Sequence, residues 1–197
     1  MAVHGTTLAS QRSQAWLRPF LLTTGFGGAI AVRIAIGGVA VRQSAAAGLA
    51  FAAVLACLTS MYPPRTNPGR RTLGYGILGA LCLVVPILIL RLPLVNSAMG
   101  GGYLAWAAVV SLVALAEEAF LRGTLFDALS RSFGSVTTTI ICAALFALLH
   151  LPLYGIAAVP LDFIVGLWLG YLRLRSGSWL APGIAHTLTD LVSWWLR

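Results

Sequence analysis

Three short runs hold the side chains able to do acid–base chemistry: L-A-E-E-A-F-L-R-G at 115–123, F-A-L-L-H at 146–150 and H-T-L-T-D at 186–190. The chain has only eight Asp, Glu and His residues, namely His4, Glu117, Glu118, Asp127, His150, Asp162, His186 and Asp190, and seven of them follow residue 116. Most of those seven lie in apolar runs. An ionisable group at mid-bilayer costs on the order of 2.5–3.5 kcal/mol on insertion scales, so it faces a cavity or a partner and marks function. A carboxylate and an imidazole that share a water-filled pocket make a general base and its partner.

Spacing says which of them meet. Glu117 and His150 are equidistant from Phe133–Gly134, where S-R-S-F-G-S signals a turn. In an antiparallel helix pair both then reach the same depth, ~20–25 Å from the turn at ~1.5 Å per residue. His186 and Asp190 stand at i,i+4, on one face of a last helix that starts near Ser176–Gly177, on the side of the 133–134 turn. They descend toward the same level. Glu118 and Arg122 are also i,i+4, acid before base, and read as an internal salt bridge, with Glu117 on a different face and free for chemistry. Phe146, four residues before His150, shares its face and packs against it. Asp127 reads as interfacial, and Asp162, beside Pro160, as either a cavity-lining group or a polar packing partner. His4 reads as a solvated residue without a role.

The elements that must carry these residues follow from composition. Of 197 residues, 59% are hydrophobic and 9% charged, against roughly 25% charged in soluble domains. The expectation is all-α: a polytopic integral membrane helical bundle of about seven transmembrane helices, at about 20–41, 44–62, 73–92, 103–130, 136–152, 156–174 and 178–196. Residues 1–19 read as a polar N-terminal tail, 20–102 as accessory helices and 103–197 as the catalytic core. The first span is the least apolar, with Arg33, two threonines and several glycines that suit close helix packing. Loop 63–72 (P-P-R-T-N-P-G-R-R-T) is a turn.

All 13 basic residues are arginine, and they are scattered between apolar runs, with Arg70–Arg71 the one adjacent pair. Without a basic stripe or interleaved aromatics, the net charge of +8 reads as positive-inside topology and not as a nucleic-acid surface. With seven spans, Arg12, Arg18, Arg65, Arg70, Arg71, Arg131, Arg173 and Arg175 fall on one side; Arg42, Arg91 and Arg197 fall on the other. That asymmetry places the N-terminus in the cytoplasm. Cys57, Cys82 and Cys142 each sit in an apolar run without a C-x-x-C pair, and read as small packing residues.

The chain resembles the CPBP family, the membrane CAAX proteases and bacteriocin-processing (Abi) proteins. The family pattern is EExxxR, FxxxH and HxxxN in successive spans; here it stands as Glu117-Glu118-A-F-L-Arg122, Phe146-A-L-L-His150 and His186-T-L-T-Asp190. The order matches over about residues 103–196. The resemblance implies an intramembrane glutamic-type endopeptidase without a cofactor. Glu117 would be the base, His150 would orient the water, and His186 with residue 190 would steady the oxyanion. Asp190 departs from the pattern, since an ionised aspartate only accepts hydrogen bonds. Either it is protonated in its low-dielectric setting or it orients His186.

Rival readings use the same residues. A zinc-dependent membrane protease is the alternative chemistry, but H-E-x-x-H is absent and no two histidines share a helix. The G-x-S-x-G elbow is missing too, and Ser178 reads as a turn residue. A non-catalytic immunity or scaffold protein of the same fold would not need Glu117 and His150, and a transporter would spread its polar groups along a path. The expected partners are the lipid bilayer and a membrane-anchored protein or peptide, cut at a C-terminal anchor or sorting segment, with no nucleic acid. Arginine-only usage and small size point to a bacterial inner (cell) membrane.

Overall fold

The computed structural model describes residues 4–66, 68–90 and 102–196, and the regular elements among them are all helical. Of the residues read above, the side chains of His4 and Arg12, and the whole of Arg91 and Arg197, lie outside the described residues. The helices are α1 (His4–Gly37), α2 (Ala45–Met61), α3 (Arg70–Leu90), α4 (Tyr103–Glu118), α5 (Phe126–Tyr154), α6 (Val159–Ser176) and α7 (Leu180–Ser193), with a π-helical segment, Ala119–Leu125, between α4 and α5.

Four described stretches are long and apolar enough to cross a membrane: Trp16–Ala40, Arg70–Ile89, Tyr103–Tyr154 and Ile156–Ser176. The expected seven become four by this measure for two physical reasons. Helices α2, of 17 residues, and α7, of 14, fall short of the ~20 residues that a bilayer core asks of a straight helix. The third stretch, of 52 residues, holds two of the expected spans. It folds back at Gly134, whose φ of 74° and ψ of 166° interrupt α5, at the turn expected there. A positive φ of this kind favours glycine, which has no Cβ to clash. Across the fold the Cys142 Sγ lies 3.3 Å from the Leu121 carbonyl oxygen. The N-terminal side of the chain also differs from a simple tail followed by a span, since α1 continues through Pro19 without a break.

Local capping sets the other boundaries. Ser44 Oγ accepts from the Ala47 N–H to start α2. Gly177, with φ 71° and ψ 6°, ends α6, and Ser178 Oγ then accepts from the Leu180 N–H to open α7. Ser178 is thus the turn residue its position suggested. The core draws on most helices, with Leu22, Phe26, Phe51, Leu55, Phe120 and Leu169 among its buried members. Of the three free cysteines, only Cys142 is packed inside the protein; Cys57 and Cys82 lie on its surface.

Polar and aromatic residues divide between the two ends of the bundle. At one end Trp16 meets Phe133, Arg18 lies over Tyr62, and the Asp127 carboxylate accepts from the Arg65 backbone N–H and the Arg173 guanidinium. Asp127 is therefore at an end of the bundle, as its interfacial reading required. At the opposite end Tyr103, Trp106, Trp194 and Trp195 form an aromatic cluster. Aromatic residues favour the level where lipid meets water.

Close helix approach depends on glycine. A Cβ on Gly166 of α6 would stand 2.9 Å from the Cα of Ala143 on α5, and one on Gly170 would stand 2.5 Å from Thr139 Cγ2. A backbone atom cannot swing aside, so Gly166→Ala forces the helices apart. The substitution should cost about 1–3 kcal/mol, read as a lower midpoint in denaturant titration of the protein in micelles. Gly27→Ala, with open space around its Cβ, should leave that midpoint unchanged or raise it.

Candidate active site

The two adjacent glutamates end α4, just before the backbone widens into the π-helical segment, a feature common at functional sites. Neighbouring residues on an α-helix point about 100° apart, so the carboxylates diverge. Glu118 is fully buried, and its Oε1 accepts from Arg122 Nη1 at 2.8 Å. The salt bridge expected from spacing is present. Arg122 is fully buried too: its Nη2 donates to the Gly166 carbonyl at 3.1 Å, and its guanidinium lies 4.7 Å from the centre of the Phe146 ring. Glu118 has a further partner that spacing did not reveal, since His186 Nδ1 lies 3.1 Å from the same Oε1. A carboxylate oxygen accepts, so Nδ1 carries the hydrogen and α7 is tied to α4.

Glu117, also buried, points to a different neighbour. Its Oε1 accepts from Arg33 Nη1 of α1 at 3.5 Å. The expectation that Glu117 stands apart from other charges is therefore corrected: its partner comes from the first helix. His186 and Asp190 also lie within electrostatic reach of this carboxylate.

His150 is held by its own helix. Nδ1 lies 2.8 Å from the Phe146 carbonyl oxygen, which can only accept, so Nδ1 bears the hydrogen. In the neutral ring Nε2 is then left as an acceptor. The imidazole is clamped between two rings, Phe146 at 4.3 Å and Tyr154, stacked at 5.6 Å with an interplanar angle of 10°. Phe146 also meets His186 edge-on at 5.5 Å, so this phenyl ring separates Arg122, His150 and His186 at fixed distances. Asp190 Oδ2 lies 3.6 Å from His186 Nε2, and its carboxylate is 36% exposed. That separation exceeds an ordinary hydrogen bond.

The residues singled out from the motifs thus come together in one cluster built from α4, the π segment, α5 and α7, with Glu117, Glu118, Arg122, Phe146, His150 and His186 buried and Asp190 at its more exposed edge. Asp162 is half-buried within electrostatic reach of His186, and its Oδ2 has no hydrogen-bond partner among the described residues. Two members had no motif. Arg33 had the signal of a lone charge in an apolar span, and Tyr154 that of an aromatic four residues after His150. Among the described residues no group of three His, Cys, Asp or Glu side chains is placed to hold a metal ion. A cavity of about 220 Å³ opens between residues 39–43 and Pro152–Leu153, beyond the His150 end of α5.

The Arg122 fork serves a carboxylate and a carbonyl at once, which an ammonium on a flexible stem does less well. Arg122→Lys should destabilise the protein by about 1–3 kcal/mol, because a buried acceptor is left unpaired. Equilibrium unfolding in micelles checks this, and stability equal to that of the parent would refute the bidentate role.

Residues 100–192 match the family model described as type II CAAX prenyl endopeptidase Rce1-like. The match covers Glu117, Glu118, Arg122, Phe146, His150, His186 and Asp190, and leaves Arg33 outside. No curated protein and no solved structure matches the chain. With four stretches apolar enough to span a bilayer and the motif residues gathered in one cluster, this integral membrane protein is similar over residues 100–192 to the Rce1-like proteases of the wider CPBP family.

Proposed function

We propose that the protein is a glutamic-type intramembrane endopeptidase that cuts a membrane-anchored peptide or the C-terminal anchor or sorting segment of a membrane-bound protein. The observation that carries this reading is the burial of Glu117 in one cluster with His150, whose Nδ1 is tied to the Phe146 carbonyl, and with His186. Glu117 takes a proton from water as the water oxygen attacks the scissile carbonyl carbon. His150 Nε2, left as an acceptor, orients that water. The proton on Glu117 then passes to the leaving amine as the tetrahedral intermediate collapses. His186, whose Nδ1–H is given to Glu118, donates to the developing oxyanion from Nε2 as the imidazolium, and the Asp190 carboxylate, 3.6 Å from Nε2, acts as a neighbouring charge to that ring. Glu118 and Arg122 hold the scaffold.

In this reading α2 and α7 also cross the bilayer, as short helices in a thinned or tilted environment, giving seven spans. The arginine-rich end with Arg18, Arg65 and Arg173 is then cytoplasmic, and the aromatic cluster faces the other side. The placement of the protein in a bacterial inner membrane rests on composition. The family description names prenylated CAAX substrates; a bacterial setting favours an unprenylated membrane segment.

Proteomics of protein termini in a deletion strain tests this reading. The strain should accumulate an uncleaved precursor that the parent protein clears. Glu117→Gln and His150→Ala, at matched membrane levels, should slow clearance by ~10²-fold or more, the share usual for a general base. Clearance at the parental rate by both variants would make the mechanism wrong. A stoichiometric zinc ion that a chelator removes together with activity would favour the zinc protease instead.

A further inference from the structure

Helix α1 lies outside the stretch that matches the protease family, yet it sends one charged side chain into the cluster. Arg33 is only 7% exposed although it sits inside a stretch apolar enough to span a bilayer. A buried guanidinium there is costly unless it is compensated. Two neighbours compensate it. Its Nη1 lies 3.5 Å from Glu117 Oε1, and its guanidinium carbon lies 4.9 Å from the centre of the Phe51 ring on α2. The aromatic face is a favourable seat for a cation. Arg33 Nε has no hydrogen-bond partner among the described residues, and the side-chain hydrogen bond they do give this guanidinium runs from Nη1 to Glu117 Oε1.

We propose that Arg33 is a positioning residue for Glu117, so that the two N-terminal helices complete the active site of the Rce1-like domain. The proposal rests on Glu117 being the base. Arg33 offsets the charge of the Glu117 carboxylate and holds Oε1, which leaves Oε2 to take the proton from water. Phe51 supports the arginine, and α1 and α2 thereby act on the chemistry without touching the substrate. Loss of the cation would leave a buried carboxylate unpaired and free to rotate away from its water.

Arg33→Met and Arg33→Lys separate this role from simple space filling, because both keep a long unbranched stem and only lysine keeps the charge. Each variant is expressed in the deletion strain at matched membrane levels, and clearance of uncleaved termini is followed beside Glu117→Gln. Arg33→Met should clear them at least ~10-fold more slowly than the parent, a part of the 10²–10⁴ that a general base supplies, and Arg33→Lys should recover much of that loss. In micelles, Arg33→Met should lower the melting temperature by about 5 °C or more, and adding Glu117→Gln should restore it, since no buried carboxylate is then left unpaired. Parental clearance by Arg33→Met, or equal clearance by the Met and Lys variants, would overturn the proposal while a failing Glu117→Gln left the protease reading intact. Parental clearance by Glu117→Gln would remove both. Additive melting losses in the double variant would show that Arg33 and Glu117 do not interact, and would also overturn it.

Discussion

Arg122 is the group on which the other contacts converge. Its fully buried guanidinium binds Glu118, caps the Gly166 carbonyl and lies over Phe146, while its own carbonyl accepts from Arg173 Nε at 2.7 Å. Arg173 in turn reaches Asp127 at the end of the bundle. A single run of polar contacts therefore joins the interior of the protein to its arginine-rich end. Buried ion pairs seldom add stability over apolar residues of equal volume, because desolvation offsets the attraction. What this one supplies is geometry. It holds the π segment, α5 and α6 against each other, and through Glu118 and His186 it holds α7 as well.

The apolar packing makes that geometry possible by bringing backbones within reach. The guanidinium of Arg122 meets the carbonyl of Gly166 because α6 presents glycines to α5, where Gly166 and Gly170 face Ala143 and Thr139. Helix α3 uses the same device against α6 and α7, with Gly76 facing Ile184 of α7 and Gly79 facing Leu172 of α6 and Ala185 of α7. In a bilayer the hydrophobic effect does not drive helices together, and close van der Waals contact over small residues takes its place. Phe146 then acts as the spacer at the centre, touching His150 and His186 and seating Arg122.

Two adjacent glutamates come to have different surroundings because a helix turns by about 100° per residue. Glu118 faces inward to Arg122 and His186, in contacts that close off its Oε1. Glu117 faces Arg33 across a longer gap. The same carboxylate chemistry is thus fixed as scaffold at one position and left more open at the next. The helices that precede the family stretch are part of this arrangement, since Arg33 and Phe51 belong to α1 and α2.

Much of this was legible before any coordinates. Seven of the eight Asp, Glu and His residues crowded after residue 116 in an apolar chain marked a candidate site, the i,i+4 spacing of Glu118 and Arg122 announced their ion pair, and the S-R-S-F-G-S run announced the turn at Gly134, because these follow from the repeat of one helix and the place of one turn. Other features needed the fold. No local rule pairs Arg33 with Glu117, 84 residues apart, or His186 with Glu118, 68 apart. The widening of the backbone at Ala119–Leu125 and the shortness of α2 and α7 escaped the apolar pattern as well, since hydropathy records composition and not where hydrogen bonds shift or stop. By itself the sequence determined which side chains are able to do acid–base chemistry and where along each helix they lie. Only the tertiary structure decided which carboxylate meets which cation, because that depends on how each helix is rotated about its axis against its neighbours.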